Sequence, residues 1–231
     1  MKKFYDTFIE QFNYKPTSIL EIGSRDGHDA EKLRALGDIP AEAVYIVEPH
    51  PESYKKIIAS YPKARVFEFA ISDKPGVIDF NAISSIVEEG WTPEQYAGLV
   101  GTSSALKKNW KLYQHVPGMT EERFNFNNRQ RWTKVLAVKG ETLLQLINRF
   151  EIDLIKIDVE GLTYEVLKSF GNGLRHLKLL HIEIEKVQIW ENQHLYDEIK
   201  AHLEFYGFKE LYYLPAYFNG NQGDNVWVRL S

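Results

Sequence analysis

Short apolar runs alternate with amphipathic stretches along most of this chain, and that alternation limits the folds open to it. Thr17–Gly23 (TSILEIG) has the unbroken hydrophobicity of a strand covered on both faces, not the every-other-residue pattern of a sheet with one wet side. His28–Leu36 then has helical spacing stopped by Gly37, and Ala43–Glu48 (AVYIVE) is a second buried run. The pattern predicts a helix over Pro51–Ser60, with proline in the first turn where its missing N–H costs nothing. It predicts a third strand over Arg65–Ala70 and an additional one over Val77–Ile83, after the Lys74-Pro75-Gly76 turn. The rhythm lapses over residues 84–133. It resumes with expected strands at Lys134–Val138, Asp153–Val159, Leu177–Glu185, Phe208–Leu214 and Asn225–Leu230, and expected helices at Glu141–Phe150, Thr163–Phe170 and His194–Tyr206.

Alternating strands and helices call for a parallel sheet with right-handed crossovers. The last two strands are joined by about ten residues with no helix, too few for a crossover, so the final strand should run antiparallel. The expectation is a doubly wound, Rossmann-like α/β fold: a seven-stranded, mostly parallel sheet with an antiparallel last strand, in one domain over 1–231 with a lid-like insertion at about 84–133. A chain of 231 residues is long enough for one such domain. The net charge of -4 argues against duplex nucleic acid, whose binding is dominated by phosphate neutralisation. The absence of cysteine removes disulfides, thiolate metal sites and sulfur nucleophiles. Met1–Asn13 reads as a short amphipathic helix with charges among its apolar positions, not a secretory signal, and no apolar run approaches the ~18 residues of a membrane span. A cytoplasmic protein is expected.

The first strand runs directly into Glu21-Ile22-Gly23-Ser24-Arg25-Asp26-Gly27. Gly23 and Gly27 suit a tight strand-to-helix turn that a ligand approaches closely, although an ordinary turn would use glycine too. A dinucleotide site would want a third glycine, and Glu21 stands where its first glycine belongs. A carboxylate there repels a pyrophosphate but suits a ligand carrying an ammonium and a sulfonium. Strand two ends in Glu48, followed by Pro49, where an acid can accept both hydroxyls of a ribose. Strand three ends in Ala70, Ile71 and Ser72, small and polar groups that could edge a nucleoside base.

With these residues in view, the chain resembles the FkbM-type family of methyltransferases. The resemblance is carried by ILEIGSRDG (19–27), VEP (47–49), AISDKPG (70–76), GTSSAL (101–106), DLIKIDVEGLTYEVL (153–167) and DNVWV (224–228), in the family's order. It implies the class I methyltransferase fold, S-adenosylmethionine as cofactor, and methylation of a hydroxyl on a sugar, glycan or polyketide. It adds Ser103 and Asp158 to the cofactor-binding candidates.

Methyl transfer to a hydroxyl needs an aligned acceptor and a group to take its proton. By period-two alternation Lys156, Asp158 and Glu160 share one face of strand Asp153–Val159, and His181, Glu183 and Glu185 share one face of the next strand. The catalytic candidates are Asp158, Glu160, Glu183 and His181. The competing reading is a structural network in which Lys156 neutralises Asp158 and His181 bonds Glu183. Carboxylates at adjacent strand ends could also hold Mg²⁺.

The insertion holds Trp91, Tyr96, Trp110, Tyr113, Phe124, Phe126 and Trp132, with seven Lys or Arg between Lys107 and Lys134 against Glu121 and Glu122. It reads equally as a lid over a sugar ring, with charge for an anionic group, or as a satellite core or dimer contact. The loop Pro215–Asp224, with Tyr217 and Asn219, should border the same cleft. The favoured function is an O-methyltransferase acting on a sugar, glycan precursor or related metabolite. An RNA methyltransferase, or a cofactor-binding protein without turnover, is the alternative; a nicotinamide oxidoreductase is weaker.

Overall fold

A computed structural model describes residues 14–83, 102–114, 120–127, 132–148 and 152–229. The expected helix over Met1–Asn13, together with Trp91, Tyr96, Gly101, Arg129 and Arg131, lies outside the described residues.

Strand β1 (Ile19–Ile22) leads into α1 (His28–Gly37), β2 (Val44–Val47), α2 (Pro51–Ser60) and β3 (Arg65–Phe67). After the insertion come α5 (Gly140–Leu146), β7 (Leu154–Ile157), α6 (Thr163–Ser169), β8 (Leu179–Glu185), α7 (Tyr196–Phe205), β9 (Lys209–Tyr217) and β10 (Gln222–Val228). Seven of the strands form one sheet in the order β3-β2-β1-β7-β8-β10-β9. Pairings are parallel from β3 across to β8, and β10 runs antiparallel to both β8 and β9. The expected sheet is therefore present, closing strand included.

The order reverses between β1 and β7, because the chain builds outward from β1 to β3 and then returns to the other side. At such a switch point the two flanking connections diverge and leave a crevice at the carboxyl ends of the strands. The register aligns Leu20, Ile155 and Leu180 on one face and Ile19, Leu154 and Leu179 on the other. The first face is covered by Leu143, Leu144, Val166, Leu167, Ile199 and Leu203 of α5, α6 and α7. The second is covered by Leu33 of α1. Both faces are dry, which accounts for the unbroken apolar runs in the sequence.

Three expectations change. Arg65–Ala70 is not one strand: it divides into β3 and β4 (Ala70–Ile71), which sit in different sheets. β4, β5 (Gly76–Asn81) and β6 (Trp132–Val138) form a separate three-stranded sheet, order β4-β6-β5, so the strand expected at Lys134–Val138 does not join the main one. Its alternating burial, Val135 and Ala137 inward, Lys134 and Leu136 outward, is that of a one-sided sheet. Pro215–Asp224 is mostly strand: β9 and β10 extend into it and leave only a short turn at Phe218–Gly220. Phe218 and Asn219 turn the chain with φ of 51° and 57°.

The described part of the insertion holds two short helices, α3 (Trp110–Tyr113) and α4 (Glu121–Asn127). Tyr113 and Phe124 pack with Ile189 and Trp190, beyond the carboxyl end of β8, as a small core separate from the main ones. Among the described residues no helix is long and apolar enough to cross a membrane.

Candidate active site at the carboxyl edge of the sheet

A cleft of about 680 Å³ opens at the switch point, walled by the ends of β1, β2, β7 and β8 and by the insertion. One end is built on the turn after β1. Gly23 has φ +78°, and a β-carbon on it would lie 1.9 Å from the backbone carbonyl oxygen of Asp158. Gly27, also at φ +78°, faces the Tyr61 ring, which a β-carbon would approach to 2.4 Å. Both glycines are thus required by contacts within the protein, as well as by the bend itself.

Glu48 organises this turn. One carboxylate oxygen accepts the backbone N–H groups of Ser24 (3.0 Å) and Arg25 (2.7 Å), and the other accepts that of His50 (2.8 Å). The carboxylate is buried and lines the cleft, so it is held in place before any ligand arrives. Burial raises its pKa, while the three N–H groups act in the opposite direction.

Glu21 does not meet the cleft. It is fully buried beneath the turn, accepting a hydrogen bond from the Ser24 hydroxyl, with the Lys156 ammonium 3.9 Å away. Its strand period points it into the layer facing α1, so it supports the turn rather than touching a ligand's cation. Burial moves its pKa up to about 7 despite Lys156. Lys156 also contacts Asp29 of α1 at 3.2 Å and Asp158 at 3.0 Å, and these carboxylates hold its pKa above the ordinary lysine value.

Ser24, Arg25, Asp26, Pro49, Ala70, Ile71, Ser72 and Ser103, expected at the cofactor, all line the cleft. Ser103 also accepts the backbone N–H of Ile83 at 3.1 Å. S-adenosylmethionine fits this end. The fixed Glu48 carboxylate suits ribose hydroxyls, the apolar group Val47, Ile71, Ile78 and Phe80 suits a flat base, and Asp26 and Asp158 suit a cationic amino-acid tail. His50 was not foreseen. Its Nε2 donates to the Ile83 carbonyl at 2.8 Å, and it lines the cleft two residues past Glu48.

The other end is acidic. Asp158, Glu160 and Glu183 each place an oxygen within 4.8 Å of the others, a spacing at which one small cation could touch all three. Glu160 reaches the cluster in a way alternation does not describe: β7 ends at Ile157, and Glu160 stands in a left-handed turn at φ +52°. The Ser104 hydroxyl donates to its backbone carbonyl at 2.8 Å and ties the insertion to this turn. Burial, with the neighbouring acids Asp158 and Glu185, raises the Glu160 pKa to about 8 against the opposing charge of Lys108. Glu183 is raised well above the usual carboxylate range for the same reasons.

His181 is not brought to this cluster. It is buried in β8, paired in register with Lys156, and its Nε2 lies 3.4 Å from Asp224, not beside Glu183. The acid cluster is completed instead by Lys108 and Tyr113, which the sequence reading offered only as parts of a lid-like insertion, and by Trp190 from the loop after β8, which it left aside. A signal for Trp190 existed, since a loop leaving the carboxyl end of a central strand borders the switch-point crevice.

The sheet order and antiparallel closing strand are those of class I methyltransferases that use S-adenosylmethionine. A solved structure of methyltransferase FkbM from Methylobacillus flagellatus KT shares the fold with a TM-score of 0.53 at 9% identity, over 99% of this chain and 50% of that one. The 2-O-methyltransferase NoeI of Sinorhizobium fredii (strain NBRC 101917 / NGR234) is 25% identical over 178 residues, which span 76% of this chain and 66% of the relative. Residues 21–210 match the Methyltransferase FkbM domain. The chain belongs to the FkbM methyltransferase family, and is an S-adenosylmethionine-dependent methyltransferase.

Proposed function

We propose that the protein methylates a hydroxyl oxygen of a sugar or sugar-containing metabolite. The observation that carries this reading is the meeting of Asp158, Glu160 and Glu183 in the same cleft as the Gly23–Glu48 turn. Bound S-adenosylmethionine supplies a methyl group on a sulfonium. A hydroxyl is a poor nucleophile while it keeps its proton, so the acceptor needs a proton-accepting group at hydrogen-bond distance, and this cleft offers carboxylates. Glu160 and Glu183 are the candidates to take that proton at a side-chain oxygen, and Asp158, held by Lys156, orients them. Tyr113, Trp190 and Phe218 give the cleft an aromatic wall against which a ring can lie, and Asn219 and Gln222 add amides. NoeI, at 25% identity, is by its name a 2-O-methyltransferase, in keeping with oxygen as the acceptor atom.

The charge of the cleft favours a neutral acceptor over an anionic one. Asp26, Asp29, Glu48, Asp158, Glu160 and Glu183 line it against Arg25, Lys108 and Lys156. Among the described basic residues of the insertion, Lys107 sits over Trp132 and Lys134 pairs with Asp79; Lys108 is the one that reaches the cleft. The same balance weighs against RNA, whose phosphates would meet these acids. The test is transfer of labelled methyl from S-adenosylmethionine to neutral glycosides, sugar phosphates and RNA, with product mass analysis. Label in the glycosides supports the reading; label confined to RNA or to nitrogen atoms overturns it.

A further inference from the structure

Two donors at the acid end have no role in the account above. Trp190 is only 1% exposed yet lines the cleft, and its indole N–H has no hydrogen-bond partner. Its edge lies against Gly161, next to Glu160: a β-carbon there would come within 2.6 Å of Cδ1 and 3.1 Å of Nε1. The Lys108 ammonium lies 4.4 Å from the centre of the same ring. The backbone beside it is pinned, since the Lys107 carbonyl accepts from Glu191 N–H at 2.8 Å and the Asn109 amide donates to the Glu191 carboxylate at 2.9 Å. Opposite in character, Glu183 Oε2 is buried and receives no hydrogen bond.

A buried N–H without an acceptor is unfavourable unless a ligand supplies one, and the same holds for a buried carboxylate oxygen without a donor. Here both kinds belong to residues that line the same cleft. A single reacting hydroxyl cannot serve both sets at once: its proton goes to the carboxylate and one lone pair faces the methyl carbon, which leaves one lone pair for two donors. Two hydroxyls on adjacent carbons can. We propose that Trp190 Nε1–H and the Lys108 ammonium together bind the oxygen neighbouring the one that is methylated, so that the acceptor class is a vicinal diol. One hydroxyl lies on the Asp158–Glu160–Glu183 oxygens and its neighbour on the two donors. This rests on the sugar-hydroxyl reading and adds to it a requirement for the neighbouring oxygen.

The experiment compares kcat/KM on methyl glucoside, mannoside and galactoside with their singly deoxygenated counterparts, for the wild type, Trp190→Phe and Lys108→Met. Phenylalanine keeps a ring under Lys108 and removes only the N–H; methionine keeps the chain and removes the charge. Loss of one neighbouring hydroxyl should lower wild-type kcat/KM at least ~10-fold, because the site's buried donors are then left unpaired. In either variant the same ratio should fall towards one. If Trp190→Phe folds poorly, Lys108→Met reads the same ratio. Equal wild-type rates on diol and deoxy acceptors, or an unchanged ratio in a folded variant, overturn the diol requirement alone. Methylation of none of these glycosides, with cofactor bound, overturns the sugar reading and this inference with it.

Discussion

Gly23 and Asp158 meet across the two central strands so closely that a single added carbon on Gly23 would lie 1.9 Å from the Asp158 carbonyl oxygen. The cofactor turn and the acid end of the cleft are therefore one rigid unit, joined where β1 and β7 pair. Gly23→Ala has no room to relax, since the obstacle is backbone, and its positive φ adds about 1–2 kcal/mol of strain. The substitution should destabilise the protein by at least ~2 kcal/mol, a fall in Tm of roughly 4–8 °C. It should also weaken S-adenosylmethionine binding ~10-fold or more. Thermal melting and titration calorimetry check both, and normal values for both would separate the turn from the site.

Glu48→Gln tests the organiser of the turn. The carboxylate accepts three backbone N–H groups, and an amide has one acceptor oxygen in place of two, so at least one buried N–H loses its partner. The expected cost is about 1–3 kcal/mol in stability. Affinity for S-adenosylmethionine and for its demethylated product should fall together, because the ribose is common to both. A loss confined to one of them would place Glu48 away from the ribose.

Turnover should depend on pH through the acid end. Glu160 is pushed up to about 8 by burial, with Asp158 and Glu185 adding to it and Lys108 and Arg25 opposing it. A carboxylate takes a proton only when ionised, so kcat should rise with pH and level off above about 8. Because these acids interact, the limb belongs to the cluster. Glu160→Gln should lower kcat by ~10²–10⁴-fold and alter that limb. A flat profile from pH 6 to 9, or near-normal turnover in the variant, removes Glu160 as the base.

Glu21 makes a prediction for stability. Its carboxyl has a pKa of about 7 when buried in the folded chain, against an ordinary value of 4.5. The folded state thus holds a proton that the unfolded chain has released between these pH values. Stability from this group is complete below pH 4.5 and lost as pH rises through 7, a change of roughly 3 kcal/mol. Glu21→Gln cannot titrate, so denaturant unfolding at pH 5 and pH 7.5 should show a smaller difference in the variant. Equal pH dependence in the two proteins would refute the burial cost.

Much of the site was legible before the fold was known, and the misplacements have identifiable causes. Glu48 was found because it ends a buried run, and an acid there has few roles in a sheet of this kind. Glu21 and His181 were misplaced for a shared reason. Alternation says which residues share a face, not where along the strand the packed layer gives way to the cleft, and both residues lie in register with Lys156 on the α1 side, short of the strand's carboxyl end. Glu160 was right in company but not in cause, since it leaves the strand and reaches Asp158 and Glu183 by a left-handed turn.

The amino-acid sequence alone determined the doubly wound sheet, its antiparallel end, the glycine turn with its paired acid, and the family. The sheet and the turn are written in local spacing: hydrophobic period, a glycine at a strand end, an acid at the next; the family is carried by the resemblance of whole motifs. Only the tertiary structure decided that Lys108 and Tyr113 would stand with Trp190 beside Glu160, some 80 residues apart at the extremes. Loops that leave different strands converge on the switch point because the strand order reverses there, and that convergence is a property of topology, which no stretch of neighbouring residues contains.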